Sequence, residues 1–277
     1  MSYLPQSNSA ETAFDDPIGL EPELLDSISQ DIVSAVLPEE QNAPKAINKY
    51  WFPYNDIEWQ GILEETRQSN CDLAISSLSI TKERENEYKV KFSDPYLYTN
   101  LALIANKQSR NNYSIDEDNI DLLKILKGQK VGVLDGSTSQ QTLEEFNKLL
   151  LAKNTDQTIQ IKHFETVSDA LINLDTRHDV NFVLADKVYT DFHLFQNSEG
   201  LQMLCELKED LYPQGFPAEL IGEKYGIAVN YRDSRLLQKI NRTIDNLRET
   251  RELRQMRDKH ESKYKENNST IFGQPMT

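Results

Sequence analysis

A strand-like apolar run, Leu73 to Ser76, ends in hydroxyls at Ser76, Ser77, Ser79 and Thr81, and a single arginine, Arg84, follows five residues after Ser79. A guanidinium fork can take both oxygens of a carboxylate in paired, charge-assisted hydrogen bonds, while serine hydroxyls and freed backbone groups complete the shell. The pattern therefore offers a cradle for a small anion or an amino acid. The same residues allow a plainer reading, in which Thr81 caps a helix and Lys82, Glu83, Arg84 and Glu85 form its solvated first turn. A second candidate, Thr138 in the run Gly136-Ser137-Thr138, lies just after a strand and just before a helix. Unpaired amides at such a place favour an anion, and the alternative is a helix cap and nothing more.

The elements that must hold these residues alternate between helix and strand, which predicts an α/β protein with mostly parallel sheets. Leu24, Leu25, Ile28, Ile32, Val33, Val36 and Leu37 recur at helical spacing before Pro38 and predict an amphipathic helix over 24–37. Strand signals cover 49–54, 73–76 and 101–105, with a helix over 57–67 around Trp59. After Asn106 the chain turns polar, QSRNNYSIDEDN, and a second alternating set begins, with strands over 130–134, 159–164 and 181–185 and helices over 139–152 and 167–174. A Pro/Gly stretch near 212–226 precedes a returning strand, Ile227 to Val229, and then a long charged amphipathic helix over 233–260, or two joined ones, with RETRELR allowing a continuous one. The expected division is a discontinuous first lobe, 1–105 with 226–277, and a second lobe, 106–225, with 261–277 as a loose tail.

The chain has 277 residues, 38% of them hydrophobic and 27% charged, enough to bury a sizeable core in one large or two modest domains. A net charge of −15 excludes nucleic acid and anionic membrane as partners, because both would be repelled. No apolar run approaches the ~20 residues needed to cross a bilayer. The first residues, MSYLPQSNSAET, lack the basic and then apolar plan of a signal peptide, and the chain is read as a mature or excised domain with an added Met1, ahead of the alternative that the protein belongs inside the cell. Cys71 and Cys205 have no CxxC spacing and are expected as separate, partly buried thiols. His163, His178, His193 and His260 are scattered, so neither a metal site nor a cofactor is expected.

The string DLAISSLSITKER (Asp72 to Arg84) followed by FSDPY (Phe92 to Tyr96) resembles the bacterial family 3 solute-binding proteins, the extracytoplasmic amino-acid receptors of ABC importers. Further matching stretches begin at Gly128, Asp169 and Lys224, and IGLEPELLDSI from Ile18 is similar to the family's G-F-x-x-D-L, with Glu23 where aspartate is usual. The resemblance implies a two-lobed periplasmic-binding-protein-like fold of type II, its lobes joined by two crossings and closing on a ligand by hinge bending. It implies that Arg84 binds the α-carboxylate with help from the amides of Ser79 and Thr138. Asp186 would take the α-ammonium with the Ser79 hydroxyl and the Ser77 carbonyl, and an aspartate at a strand end is otherwise a common helix cap. Phe14, ahead of Trp59, would stack on the ligand side chain, and Asp15, Asp16 and Glu58 hint at a polar or basic ligand. One departure stands out: residues 1–13 offer only Tyr3 and Leu4 as apolar bulk where relatives begin with a strand central to the first sheet.

The expected function is delivery of a polar amino acid, by a monomer in the periplasm or outside the cell, to the membrane permease of an ABC importer. An alternative is the sensing domain of a receptor with a membrane segment, since the same fold serves there. A third is an enzyme of the kind that dehydrates small carboxylates. It would need a positioned acid or base, and no His/Asp pair or Glu/Lys constellation is evident.

Overall fold

The computed structural model describes residues 2–3, 18–34, 61–108, 120–153, 157–197 and 200–271. The chain divides into two compact units, one formed by Met1–Leu97 with Lys224–Thr277 and the other by Tyr98–Glu223. The opening stretch supplies β1 (Ser2–Tyr3), β2 (Ile18–Gly19), α1 (Leu20–Ser34), α2 (Gly61–Arg67), β3 (Leu73–Ser79), α3 (Lys82–Tyr88), β4 (Val90–Phe92) and β5 (Leu97–Thr99). The middle stretch supplies β6 (Leu101–Asn106), α4 (Leu122–Leu126), β7 (Lys130–Leu134), α5 (Thr138–Ala152), β8 (Gln160–Phe164), α6 (Val167–Ile172) with a π-helical turn over Asn173–Arg177, β9 (Phe182–Asp186), α7 (Lys187–Asn197) and β10 (Leu201–Glu206). The chain then returns through β11 (Glu223–Asn230), α8 (Ser234–Glu249) and α9 (Glu252–Ile271).

Local chemistry sets several helix starts. Thr81 accepts from the Arg84 amide at 3.2 Å, Ser137 from the Gln140 amide at 3.3 Å and Asp233 from the Leu236 amide at 3.0 Å. Each side chain satisfies a donor that the first helical turn would otherwise leave without a partner.

In the second unit the strand order is β10-β6-β9-β7-β8. The two cores explain why β6 is buried along its whole length. Leu101, Leu103 and Ala105 join Phe182, Leu184, Phe146 and the helices α4 and α5 on one face, whereas Ala102 and Ile104 join Val183, Ala185, Ala170 and Leu171 on the other. A strand clothed on both sides needs apolar residues at every position, and LALIAN supplies nearly that. The first unit's sheet runs β3-β11-β4 with β5 also on β11, and its core gathers Leu63, Ala74, Leu78, Val90, Phe92 and Ala228.

Four expectations change. Pairing is mixed, since β7 with β8 and β7 with β9 are parallel, while β6 with β9, β6 with β10 and β11 with β3 and β4 are antiparallel. The boundary expected after Ala105 falls between Leu97 and Tyr98, because β6 is hydrogen-bonded to β9 and β10 in the second unit's sheet. The opening segment does contribute a strand, though only two residues of it, and β1 pairs with β2. Finally, backbone helix continues to Ile271 in place of a loose tail from residue 261, and of the two readings of 233–260 the joined pair is the one found, with α8 ending before Thr250.

The break is made by Arg251, which takes φ 66° between α8 and α9. Left-handed backbone costs a side-chain-bearing residue about 1–2 kcal/mol, which glycine avoids. Arg251→Gly is therefore expected to stabilise the protein by up to about 1 kcal/mol after the extra freedom of the unfolded glycine is counted. Chemical denaturation would read the gain, and a net loss would show that Arg251 contributes a contact outweighing its strain.

The cysteines are free and half-buried, and burial lifts both thiols, Cys205 to about 11. Among the described residues no helix is long and apolar enough to cross a membrane, and no group of three or more His, Cys, Asp or Glu side chains converges.

Candidate functional site

In the first unit β3 leaves its ladder after Ala74 and rejoins it at Leu78. Tyr225 faces Ser79 and Gly226 faces Leu78, but Ala228 faces Ala74, so Ile75, Ser76 and Ser77 bulge opposite the single residue Ile227. Such a bulge bends a strand and re-aims its side chains and amides. Ser77 sits at φ 48°, which few residues other than glycine, asparagine or aspartate adopt. Its amide donates to Oε1 of Glu21 at 2.6 Å and its hydroxyl to the same oxygen at 3.0 Å.

Arg84 lies one turn into α3 and is only 3% exposed. Its Nη1 donates to the Ser79 carbonyl at 2.8 Å, which fixes the guanidinium against the turn. Thr81 is the N-cap, as the plainer reading of the segment has it, but the arginine it starts the helix for is buried rather than solvated. Ser79, Thr81 and Arg84 form one compact cluster, with Ser77 at its edge.

The FSDPY stretch braces this cluster. The Ser93 amide donates to the Ile227 carbonyl at 2.9 Å, and the Ser93 hydroxyl oxygen accepts from the Ile227 amide at 2.9 Å. The Tyr96 amide donates to the Tyr225 carbonyl at 2.9 Å, and its phenol donates to Glu21 at 2.5 Å. Burial, and then the negative charge and acceptor of Glu21, keep that phenol protonated far above its ordinary range.

Glu21 and Tyr96 were not among the expected site residues. Glu21 was legible as an anomaly, because it precedes Leu24, Leu25 and Ile28 at i+3, i+4 and i+7 and so stands on the buried stripe of α1. A carboxylate on such a stripe requires partners.

In the second unit β7 and β9 run parallel, with Val131 opposite Phe182 and Gly132 opposite Val183. Their carboxyl ends therefore lie at the same end of the sheet, where Asp186 is the last residue of β9 and the chain leaves β7 to enter α5 at Thr138. Ser137 takes the cap, leaving Thr138 at a helical position whose amide is among those without a helical acceptor. Phe14, Trp59, Asp15, Asp16 and Glu58 lie outside the described residues.

Glu23, the residue at the family's aspartate position, does other work. Its Oε2 accepts from Lys259 Nζ and from His260 Nε2, each at 2.8 Å, tying α1 to α9 within the first unit. Burial pushes its carboxyl up, but the hydrogen bonds and charges of Lys259 and His260 outweigh that and carry it below 4.5. A depressed carboxyl contributes stability that is fully present above about pH 4.5 and is lost as the pH falls through the lower folded value. Glu23→Gln is expected to cost up to about 1 kcal/mol at neutral pH and progressively less below that window. Paired denaturation curves at pH 7 and in acid would check it, and a cost independent of pH would refute the ionic origin.

Two α/β units made from an interrupted chain, one carrying a buried arginine at a serine turn and the other an aspartate and a helix start at one end of its sheet, define a two-lobed solute-binding fold of type II. The model of the bacterial extracellular solute-binding proteins, family 3, matches residues 3–263, and the chain belongs to that family, whose members bind solutes without a catalysed step. It is 27% identical over 203 residues to the L-arginine-binding protein of Pseudomonas aeruginosa, covering 73% of this chain and 70% of that protein. It is 24% identical over 212 residues to the arginine-binding extracellular protein ArtP of Bacillus subtilis, covering 76% and 71%. Among solved structures, an ancestral arginine-binding protein bound to arginine is 26% identical, with a TM-score of 0.65 over 88% of each chain.

Proposed function

We propose that the chain is the extracytoplasmic receptor of an ABC importer, working as a monomer that captures a basic amino acid of the arginine type and presents it to a membrane permease. The carrying observation is the buried Arg84 guanidinium seated on the Ser79 carbonyl at the end of a bulged strand. In this reading Arg84 receives the α-carboxylate together with the amides of Ser79 and Thr138. Asp186, the Ser79 hydroxyl and the Ser77 carbonyl receive the α-ammonium, and Phe14 stacks on the side chain. Arginine as ligand rests on what the relatives above bind.

Thermal unfolding in the presence of each common amino acid, followed by calorimetry on any hit, tests the proposal. Ligand at about 100 times Kd should add about 2.7 kcal/mol of stability. A selective shift with arginine or lysine supports the reading, and no shift with any amino acid sinks it.

A further inference from the structure

We infer that Glu21 is the positioning residue of the amino-acid site, a buried carboxylate that, together with Tyr96 of the FSDPY stretch, holds Ser77 in the conformation that presents its carbonyl to the ligand ammonium. The inference rests on the proposed function for its link to ligand, and on geometry alone for the holding of Ser77.

The bulge over Ile75, Ser76 and Ser77 takes the Ser77 amide off the β11 ladder. A buried amide without a partner is costly, and here the partner comes from the first turn of another element, the Glu21 side chain at 2.6 Å. The same oxygen takes the Ser77 hydroxyl at 3.0 Å and the Tyr96 phenol at 2.5 Å, while Glu21 itself is only 2% exposed. Serine gains nothing intrinsic from φ 48°, so the surroundings must impose it. The amide and hydroxyl of Ser77 are both pinned to one carboxylate oxygen, and Leu78 is back on the ladder opposite Gly226, so the Ser77 carbonyl lies in a peptide plane held on both sides; Ser79 follows with its own carbonyl held by Arg84.

The network also explains why the two motifs occur together. Tyr96 is tied through its amide to β11 and through its phenol to Glu21, so FSDPY sets where the carboxylate stands and the carboxylate sets the bulge. A negative charge one residue from the ammonium acceptor also favours a cation there, more strongly in a buried setting than in water.

The test uses the full chain with Glu21→Gln, Tyr96→Phe and the double variant, at a temperature where circular dichroism shows each folded. L-Arginine is titrated calorimetrically, and amide exchange at Ser77 is followed by NMR in the ligand-free protein. Glu21→Gln is expected to weaken arginine binding about 10- to 100-fold and to speed Ser77 exchange by about tenfold or more. Tyr96→Phe should weaken binding several-fold, and the double variant should resemble Glu21→Gln because both act through one carboxylate.

Binding within about twofold of the parent in Glu21→Gln overturns the inference. So does lost affinity with unchanged Ser77 exchange, since that would be a charge effect without positioning. A merely structural Glu21 would lower the melting temperature and leave the folded protein's affinity intact. Should Glu21→Gln fail to fold, Tyr96→Phe, which deletes one oxygen, carries the same comparison. If the parent protein binds no amino acid, the proposed function fails, and the exchange data still decide whether Glu21 holds Ser77.

Discussion

Arg84→Ala abolishes amino-acid binding in the expected result, with a loss of about 2–5 kcal/mol, or roughly 30-fold to several thousand-fold in Kd. The guanidinium is buried and fixed against the Ser79 carbonyl, so it is already oriented before a ligand arrives and little ordering entropy is left to lose. Arg84→Lys should fail nearly as badly, because an ammonium is a point charge and cannot fork across both carboxylate oxygens. Calorimetry on the folded variants reads both. Near-parental affinity in Arg84→Ala would remove Arg84 from the site and with it the proposed function.

Phe146→Ala carries the largest expected cost in stability. Phe146 is fully buried on α5, and its ring centroid lies 5.1 Å from Phe216 and 6.3 Å from Tyr212, which are themselves 4.8 Å apart. Truncation removes the centre of this aromatic trio and leaves a cavity beneath β6, β7 and β9, for an expected loss of about 3–5 kcal/mol. The melting temperature should fall by roughly 10 °C. Differential scanning calorimetry would measure it, with Phe146→Leu as the milder control at under about 1.5 kcal/mol. A drop of less than about 1 kcal/mol for alanine would mean that the trio is not the packed centre of that core.

Much of the architecture was legible in periodicity and punctuation. The strands over 130–134 and 160–164 appear at or within a residue of their expected bounds, the first as a short apolar run, KVGVL, and the second as an alternating one, QIKHF. What escaped was non-local. LALIAN reads as a strand in either unit, and only its hydrogen bonds to β9 and β10 assign it. A break within 233–260 was one of two open readings, and its position at Arg251 was not legible because the sequence carries arginine where the backbone suits glycine. At the candidate site, Ser77, Ser79, Arg84 and Thr138 follow from a strand end, hydroxyls and a helix start. Glu21 and Tyr96 did not, since a hydrogen bond spanning 75 residues leaves no local trace beyond a charge on an apolar stripe.

The placement of β11 has a consequence for the order in which the protein can fold. All five strands of the second unit lie between Leu101 and Glu206, so that sheet can close as soon as this stretch is synthesised. In the other unit β3 and β4 are not partners of each other and meet only through β11, which arrives after residue 222. Until then their edges, and the buried arginine between them, have no ladder to join. A nascent chain therefore carries a finished middle and a waiting beginning, and the Ser77 bulge takes shape only when the last fifth of the protein returns to it.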